Sequence, residues 1–418
     1  MGGRGDRAMR ATLAGLVGPG AVTGGDQTTL VRVLPETTEQ TAAVLAACSR
    51  EGWRVWPAGR GSRRGPGPGP GPAVVLSTER LVGLTIYEPE DLTVGCRAGM
   101  RHGDLAAATA AHRQMLPLEP AAGTGATLGG TLALADAGPL RAGYGAPRDL
   151  ALGVTVVTGD GRVLRFGGRV VKNVAGYDVV RLLVGSRGTL GVITELHVRL
   201  RGRPEHDVTL LLDAPDAATA AALALAVRDA AGPVALEVLA DPPHPDRWQL
   251  AVRLHGSRAV VDDGRERIAG LGAAVRALEP ADAAGWWRGL ARRETAPPGQ
   301  LRLVGAPDRI GALLSAAMRL PDLDFCCAHA TEGIVRARLR APDRSGLPAR
   351  AAALSALAAD VASIGGTWTY RRGLDAPEAS RAGVEALEPP PRPAALERLQ
   401  RQLQARFDPA GVLPGWEA

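Results

Sequence analysis

Short runs of apolar residues, broken by sharp turns, dominate the chain from about residue 31 to 200, and they predict strands. The pair Asp160-Gly161 lies between two of these runs and predicts a tight β-hairpin. Thr37 or Thr38 can cap a helix that runs to about Arg50, and a second helix is expected over His102–Arg113. The predicted strands are Val31–Leu34, Arg54–Trp56, Val74–Ser77, Leu84–Tyr87, Leu92–Arg97, Gly153–Val157, Val163–Phe166 and Val192–Leu200.

Beyond a proline-containing break at 201–205 the pattern alternates between helical and strand periods. This β-α-β-β-α-β order predicts an antiparallel sheet covered by helices. The expected helices are Ala217–Ala231, Asp262–Leu271, Asp308–Arg319 and Ala349–Ile364; the expected strands are Val208–Leu212, Ala235–Val238, Gln249–Leu254, Ala274–Ala277, Leu301–Val304 and Gly333–Leu339. These patterns divide the chain into four predicted regions. They are a flexible N-terminus over 1–27, a first domain over 28–203, a second domain over 204–390, and a C-terminal helix and tail over 391–418 that packs back on the first domain.

Composition changes this picture little. The net charge of +6 and the pI near 9.6 could indicate a nucleic-acid partner. However, Lys172 is the one lysine among 49 basic residues, which is typical of a GC-rich genome, and aromatic residues make up only 3% of the chain. We therefore expect no nucleic-acid binding.

The four cysteines, Cys48, Cys96, Cys326 and Cys327, form no C-x-x-C pair, so the sequence predicts neither an iron–sulfur cluster nor a zinc site. Reduced thiols in a cytoplasm are the expectation. The first twenty residues lack the apolar core of a signal peptide, and the apolar run at 217–227 is too short to span a bilayer. We expect a cytoplasmic protein that reaches the inner face of the plasma membrane only through partner subunits.

Three glycine-rich segments carry the candidate chemistry. The first, Pro57-Ala58-Gly59-Arg60-Gly61-Ser62, follows a predicted strand, and its glycines allow successive backbone N–H groups to converge on an anion. Alone it could equally be an ordinary tight turn. The second segment is rich in glycine and hydroxyl groups. The third segment is a turn that leads into a strand, and its backbone could approach a flat ring closely. The candidate residues of these two are Gly123, Thr124, Ala126, Thr127, Gly129, Gly130 and Asp136, then Gly188, Gly191, Val192 and Ile193.

Together the segments resemble the FAD-binding domain of the vanillyl-alcohol-oxidase (PCMH-type) superfamily. The run VVKNVAGYD at 170–178 and the ending AGVEALEPPPRPAALERLQRQLQARFDPAGVLPG are similar to the FAD-binding subunit of glycolate oxidase. The resemblance is strong over 53–203 and moderate near the end. It implies an α+β fold: a two-lobed PCMH-type FAD-binding domain, then an α/β cap domain with an antiparallel sheet.

The resemblance also implies that FAD places its diphosphate on the 57–62 loop and the 123–131 segment, with its ring bounded by the 188–193 turn. Several members of the superfamily attach FAD covalently through a histidine in the first loop. Arg60 stands at that position here, so a non-covalent flavin is expected.

Two further places are candidate catalytic positions. Lys172 and Asn173 are the only residues of their types in the chain, which favours a requirement near the flavin ring over chance placement. His329 lies in a segment, AHATEG, that is similar to the metal-binding HAGDGNLH of substrate-oxidising relatives. Only the first histidine of that pattern is present, so no metal site is expected, and a buried structural histidine is an equal alternative to a catalytic one.

The leading hypothesis is an FAD-binding oxidoreductase subunit of a glycolate oxidase-like complex, which oxidises a 2-hydroxy acid such as glycolate to a 2-oxo acid such as glyoxylate. The resemblance implies two partners, a second FAD-binding catalytic subunit and an iron–sulfur subunit. The alternatives are a stand-alone flavin-dependent 2-hydroxy-acid dehydrogenase with His329 as base, and a non-catalytic flavin-binding scaffold.

Overall fold

The computed structural model describes residues 2–24, 30–62, 72–168, 177–241, 244–295, 299–340, 346–371 and 394–415. Its helices in chain order are α1 (Gly2–Val17), α2 (Thr38–Glu51), α3 (His102–Ala108), α4 (Leu128–Leu134), α5 (Arg141–Tyr144), α6 (Pro147–Leu150), α7 (Val179–Leu183), α8 (Ala217–Ala231), α9 (Arg258–Ala269), α10 (Pro280–Thr295), α11 (Ile310–Met318), α12 (Leu347–Ser363) and α13 (Ala394–Phe407).

The strands are β1 (Val22–Gly24), β2 (Leu30–Val33), β3 (Arg54–Ala58), β4 (Ala73–Ser77), β5 (Leu84–Glu88), β6 (Thr93–Arg97), β7 (Gln114–Met115), β8 (Ala151–Val157), β9 (Val163–Gly167), β10 (Val192–Arg199), β11 (Arg201–Gly202), β12 (His206–Ala214), β13 (Ala235–Asp241), β14 (His244–Gly256), β15 (Val275–Leu278), β16 (Gly299–Val304), β17 (Leu323–His329), β18 (Ile334–Leu339) and β19 (Thr367–Arg371).

The chain divides into two compact units. Unit 1 comprises Met1–Ala137, Gly145–Arg203 and Arg392–Ala418, and unit 2 comprises Gly138–Tyr144 and Pro204–Pro391. None of the helices in the described residues is both long and apolar enough to cross a membrane.

Unit 1 contains two main sheets, each with its own core. In the first, of order β1-β2-β4-β3, the strands β2, β4 and β3 run parallel. The second, of order β5-β6-β10-β8-β9, is antiparallel, and β8 and β9 pair across the predicted Asp160-Gly161 turn. The helix α2 begins where expected, because the Thr37 hydroxyl accepts a hydrogen bond from the backbone N–H of Gln40 at 3.1 Å.

The C-terminal segment contributes to both cores of unit 1. Leu403 and Phe407 of α13 pack against the core of the five-stranded sheet, and Val412 and Leu413 are buried in the core of the four-stranded sheet. The Asp408 carboxylate fixes this turn by accepting hydrogen bonds from the backbone N–H groups of Val412 and Leu413, at 3.1 and 2.8 Å.

The expectation of a flexible N-terminus over 1–27 requires correction. Residues 2–17 form α1, and its Met9 and Leu13 are 1% and 0% exposed in the core of the four-stranded sheet. These two residues are four positions apart and therefore lie on one face of a helix. Glycines and arginines between the apolar residues obscure the helical period in the sequence. Burial against the sheet supplies the stability that this segment lacks as an isolated helix.

Unit 2 is built on one eight-stranded sheet of order β15-β12-β14-β13-β17-β18-β16-β19, in which every pairing is antiparallel. Its larger core, which includes residues of α8, α9, α11 and α12, covers one face. On the other face α10, which the sequence did not predict, packs against β12, β17 and β18. The α+β fold class, with an antiparallel sheet in the second domain, is confirmed.

Candidate functional site

The first glycine-rich loop, 57–62, has a rigid base and an exposed tip. Its base is the end of β3, which pairs in parallel with β4 as far as Ala58 and Ser77. The Ser77 hydroxyl donates a hydrogen bond of 2.9 Å to the Gly59 carbonyl oxygen. Arg60, Gly61 and Ser62 are exposed, and Gly61 has φ +73°, the left-handed conformation that turns successive N–H groups toward one point.

The second segment, 123–131, passes from an exposed turn into a buried helix start. Gly123 and Thr124 lie on the exposed turn, and Ala126 is buried. The Thr127 hydroxyl caps α4 by accepting a hydrogen bond of 3.3 Å from the backbone N–H of Gly130. A Cβ on Gly129 would lie 2.6 Å from the Ala98 Cβ, so only glycine lets α4 begin this close to the end of β6.

The first two segments are in direct contact. A Cβ built on Gly59 would lie 2.3 Å from the Thr127 Oγ1, and one on Gly130 would lie 2.8 Å from the same atom. Thr127 is only 4% exposed and its hydroxyl already caps α4, so it has little freedom to move aside. Gly59 is therefore needed for the close approach of the two loops.

The third segment completes this arrangement. Gly188 has φ +81°, and a Cβ there would lie 3.0 Å from the Pro57 Cγ in the first loop. The backbone N–H groups of Gly185 and Arg187 donate to the carbonyl oxygens of Leu132 and Ala133, at 2.9 and 2.8 Å, which joins the third segment to α4. The structure thus brings the three glycine-rich segments together within unit 1; we call this the glycine cradle.

Some predicted residues have structural contacts of their own. The Asp136 carboxylate accepts a hydrogen bond of 3.1 Å from the backbone N–H of Ala121. This bond fixes the backbone just before the second segment. Gly191 packs so closely on β8 that a Cβ would lie 2.7 Å from the Val157 carbonyl oxygen. Val192 and Ile193 begin β10 with buried side chains. A direct contact of these four residues with a cofactor stays a prediction.

Lys172 and Asn173 lie outside the described residues. Their placement beside a flavin ring therefore stays a prediction.

His102 is a residue of the cradle region that the sequence did not single out. It is buried at the start of α3, and its Nε2 lies 3.0 Å from the Oγ1 of Thr131 in α4. Burial lowers the pKa of His102 to about 4, although the charge of Asp136 acts in the opposite direction. The imidazole is therefore neutral near pH 7 and ties α3 to the second glycine-rich segment.

In unit 2, His329 lies between two buried carboxylates. Its Nδ1 is 2.8 Å from the Oε1 of Glu237 on β13, and its Nε2 is 3.3 Å from the Oε1 of Glu294 on α10. The Cys327 thiol donates to the other carboxylate oxygen of Glu237 at 3.4 Å. We call Glu237, Glu294, Cys327 and His329 the unit 2 cluster.

Burial governs the ionisation of the unit 2 cluster. It lowers the pKa of His329, with the charge of Glu294 opposing that change, and it raises the pKa of the Cys327 thiol well above its ordinary value. Sequence reasoning missed the cluster because its members are far apart along the chain. One signal was present: Glu237 is a lone charge inside the apolar strand ALEVLA.

Comparisons with known proteins agree with the glycine cradle. A family model described as "FAD binding domain" matches residues 29–167, which include the first two glycine-rich segments. This part of the chain is therefore an FAD-binding domain, and FAD is its cofactor. The cradle fits that cofactor, since its first loop presents backbone N–H groups at an exposed tip, as a diphosphate requires.

The chain is similar to the glycolate oxidase subunit GlcE of Escherichia coli (strain K12), with 46% identity over 129 residues, which are 31% of this chain and 37% of that protein. It is also similar to a D-lactate dehydrogenase of Archaeoglobus fulgidus, with 34% identity over 240 residues, 57% of this chain and 53% of that protein. The matched region thus spans between about a third and about half of these relatives.

The solved structure of p-cresol methylhydroxylase with substrate bound matches with a TM-score of 0.71 and 15% identity, over 97% of this chain and 95% of that one. At this identity the likeness establishes the fold alone. It agrees with an α+β fold of two units.

The Arg60 side chain lies at the tip of the first loop, and its expected contact with the FAD diphosphate can be tested by mutation. Arg60 is exposed. Its charge lowers the pKa of Asp104 on α3, and Arg101 lowers the same pKa more strongly. We expect Arg60→Ala to weaken FAD binding by roughly 1.5–3 kcal/mol, the value of a charge-assisted hydrogen bond. Titration of the apoprotein with FAD, followed by flavin fluorescence, measures this effect.

Arg50→Ala is the matched control, because Arg50 is an exposed arginine at the end of α2. It should leave the FAD affinity unchanged. Equal affinities of Arg60→Ala and the wild type would mean that the Arg60 side chain points away from the diphosphate.

Proposed function

We propose that this chain is an FAD-dependent oxidoreductase that oxidises the CH–OH group of a small 2-hydroxy acid, as a subunit of a glycolate oxidase-like complex. The observation that carries the proposal is the convergence of three glycine-rich segments in unit 1, two of which lie in the region that matches the FAD-binding-domain model. The similar proteins in the comparison are a glycolate oxidase subunit and a D-lactate dehydrogenase, whose substrates are both 2-hydroxy acids.

In this proposal the chain's own residues hold the cofactor without a covalent bond. The backbone of 59–62 and the segment at 123–130 hold the diphosphate, and the turn at Gly188 bounds the ring. The first loop contains no histidine, and Arg60 adds a positive charge where one would stand. When bound, FAD accepts a hydride from the carbinol carbon of the substrate.

Lys172 and Asn173 form a separate part of the proposal. A fixed ammonium group beside the ring would favour the reduced, anionic flavin. Lys172→Ala is then expected to lower the flavin reduction potential, and Lys172→Arg should not fully restore it, because a guanidinium is not equivalent to a compact ammonium. An unchanged potential in Lys172→Ala would remove Lys172 from the site.

The partners we propose are a second FAD-binding catalytic subunit and an iron–sulfur subunit. The four cysteines of this chain are buried and are divided between the two units. Iron–sulfur clusters are ordinarily held by sets of cysteines, so electrons that leave the flavin would pass to clusters in a partner. In such a complex this chain would meet the membrane only through its partners.

A second candidate function is a stand-alone 2-hydroxy-acid dehydrogenase. The observation that favours it is the pair of Glu237 and His329, since a neutral buried imidazole whose Nδ1 bonds a carboxylate is oriented as general bases are. This candidate requires that Nε2 be free to take the hydroxyl proton of a substrate.

The visible spectrum of the purified chain, before and after anaerobic addition of glycolate or D-lactate, separates these functions. We expect an oxidised flavin spectrum that stays oxidised with the isolated chain and bleaches when the partner subunits are added. Bleaching of the isolated chain would favour the stand-alone dehydrogenase. A colourless chain that takes up no FAD would contradict both functions.

A further inference from the structure

The C-terminal segment of unit 1 reaches the strand that leads into the first glycine-rich loop. The backbone N–H of Val55 on β3 donates a hydrogen bond of 2.8 Å to the carbonyl oxygen of Val412. Val55 comes just before Pro57, where the loop begins. We propose that the turn at 408–413 is a clamp that holds the first loop in its FAD-binding form, with Asp408 as a positioning residue for the cofactor. This rests on the placement of the FAD diphosphate in the first loop, which is part of the proposed function.

The local sequence explains why the turn forms. The order Asp408-Pro409-Ala410-Gly411 is typical of a tight β-turn, with aspartate in the first position, proline in the second and glycine in the last. Gly411 has φ +66°, and its backbone N–H closes the turn by donating to the Asp408 carbonyl oxygen at 3.1 Å. The turn therefore brings the chain from the end of α13 to the edge of β3.

The Asp408 carboxylate fixes the two residues that follow this turn. It is 3% exposed, and its two oxygens accept hydrogen bonds from the backbone N–H groups of Val412 and Leu413. A buried carboxylate is tolerated only when its oxygens have such partners, and here both oxygens hold the backbone of one short segment. The side chain of Asp408 thus determines where the Val412 carbonyl oxygen meets β3.

Unit 1 also holds the other end of the clamp. The backbone N–H of Gly159 donates to the Phe407 carbonyl oxygen at 2.8 Å, and the Arg162 guanidinium donates to the Arg406 carbonyl oxygen at 2.8 Å. These carbonyl groups end α13, where a helix supplies no partners of its own. A Cβ on Gly159 would lie 2.6 Å from the Asp408 Cγ, so the turn between β8 and β9 fits closely against the carboxylate.

Apolar packing connects the clamp to the same strand. Val55, Val412 and Leu413 are all buried and belong to one core. Because such a core is close-packed, a shift of Val412 would displace β3. The opposite edge of β3 pairs with β4 as far as Ala58. Both edges of the strand must therefore stay in place if the loop that follows is to keep its position.

Coupling between two sites is reciprocal. If the clamp holds the first loop in the form that binds the diphosphate, bound FAD must in turn stabilise the clamp. The wild-type chain is sufficient to test this consequence, so the test does not depend on the folding of a variant.

Hydrogen–deuterium exchange of the full chain, with and without FAD, measures the coupling. Peptides that contain the first loop and peptides that contain 408–413 are both expected to exchange more slowly when FAD is bound. Protection of the loop with unchanged exchange in 408–413 would overturn the clamp alone. An unprotected loop in a chain that binds FAD would overturn the clamp together with the placement of the diphosphate.

Substitution of Asp408 gives the second test. Asp408→Ala is expected to weaken FAD binding roughly five- to 150-fold, the usual range of coupling between two sites. Asp408→Asn should keep part of the affinity, because its amide oxygen can still accept one of the two hydrogen bonds. Flavin fluorescence during titration of the apoprotein with FAD measures both effects, and circular dichroism confirms that each variant is folded.

Asp216→Ala is the matched control. The Asp216 carboxylate also accepts a hydrogen bond from a backbone N–H, that of Thr219 at 2.8 Å, but it caps α8 in unit 2. Its loss should lower the free energy of unfolding and leave the FAD affinity unchanged. Equal affinities of folded Asp408→Ala and the wild type, or an equal loss in Asp216→Ala, would overturn the proposal. Neither experiment uses a 2-hydroxy acid, so failure of the clamp and failure of the proposed oxidation are seen separately.

Discussion

Gly59→Val is expected to abolish the retention of FAD while the chain still folds. Even the Cβ of the new side chain would lie 2.3 Å from the Thr127 Oγ1, and the two branches beyond it have no room beside a threonine that is 4% exposed. The first loop must therefore move away from the second. If two charge-assisted bonds to the diphosphate are lost, binding weakens by roughly 3–6 kcal/mol, or about a hundredfold to ten-thousandfold.

The ratio of flavin to protein absorbance in the purified variant, followed by FAD titration, measures this loss. Gly202→Val is the control, because Gly202 lies in the two-stranded sheet of unit 1 and a Cβ there would meet nothing within 4 Å. A double-mutant cycle with Gly59→Ala and Thr127→Ala adds a second check, since removal of the threonine hydroxyl should reduce the cost of Gly59→Ala. Full flavin occupancy in Gly59→Val would show that the two loops do not form the binding site.

The second large effect concerns the pH dependence of stability. His102 has a pKa of about 4 in the folded chain, and its burial is the main cause. An exposed histidine in the unfolded chain has a pKa near 6.5, so the unfolded state binds the extra proton between these two values. The free energy of unfolding should therefore be fully retained above about pH 6.5 and fall as the pH drops toward 4, by about 3 kcal/mol from this residue.

Denaturant unfolding at a series of pH values between 7.5 and 4, for the wild type and His102→Gln, isolates this contribution. Other titrating groups act on both proteins, so the difference between the two curves belongs to His102. We expect the wild type to lose its advantage over His102→Gln as the pH falls. His112→Gln, at an exposed histidine, should follow the wild type. Parallel curves for the wild type and His102→Gln would contradict the neutral, buried state.

The local signals in the sequence were sufficient for much of the fold. The run ALGVTVV, the turn Asp160-Gly161 and the run VLRFG specify a hairpin, because alternation and turn chemistry act over a few neighbouring residues. The cap of α2 at Thr37 is local in the same sense. By contrast, α10 was not predicted, although its buried Ala283, Trp287 and Leu290 recur at helical spacing and so lie on one face.

The candidate sites, like the fold, depend partly on local sequence and partly on tertiary structure. The sequence by itself determined that three glycine-rich segments exist, since their composition is local, and a family resemblance assigned them to FAD. Only the tertiary structure decided that Gly59 meets Thr127 and that Pro57 meets Gly188. It also decided that Glu237 and Glu294 lie on either side of the His329 ring, because strand register and helix packing, rather than neighbouring residues, determine which distant side chains share one buried space.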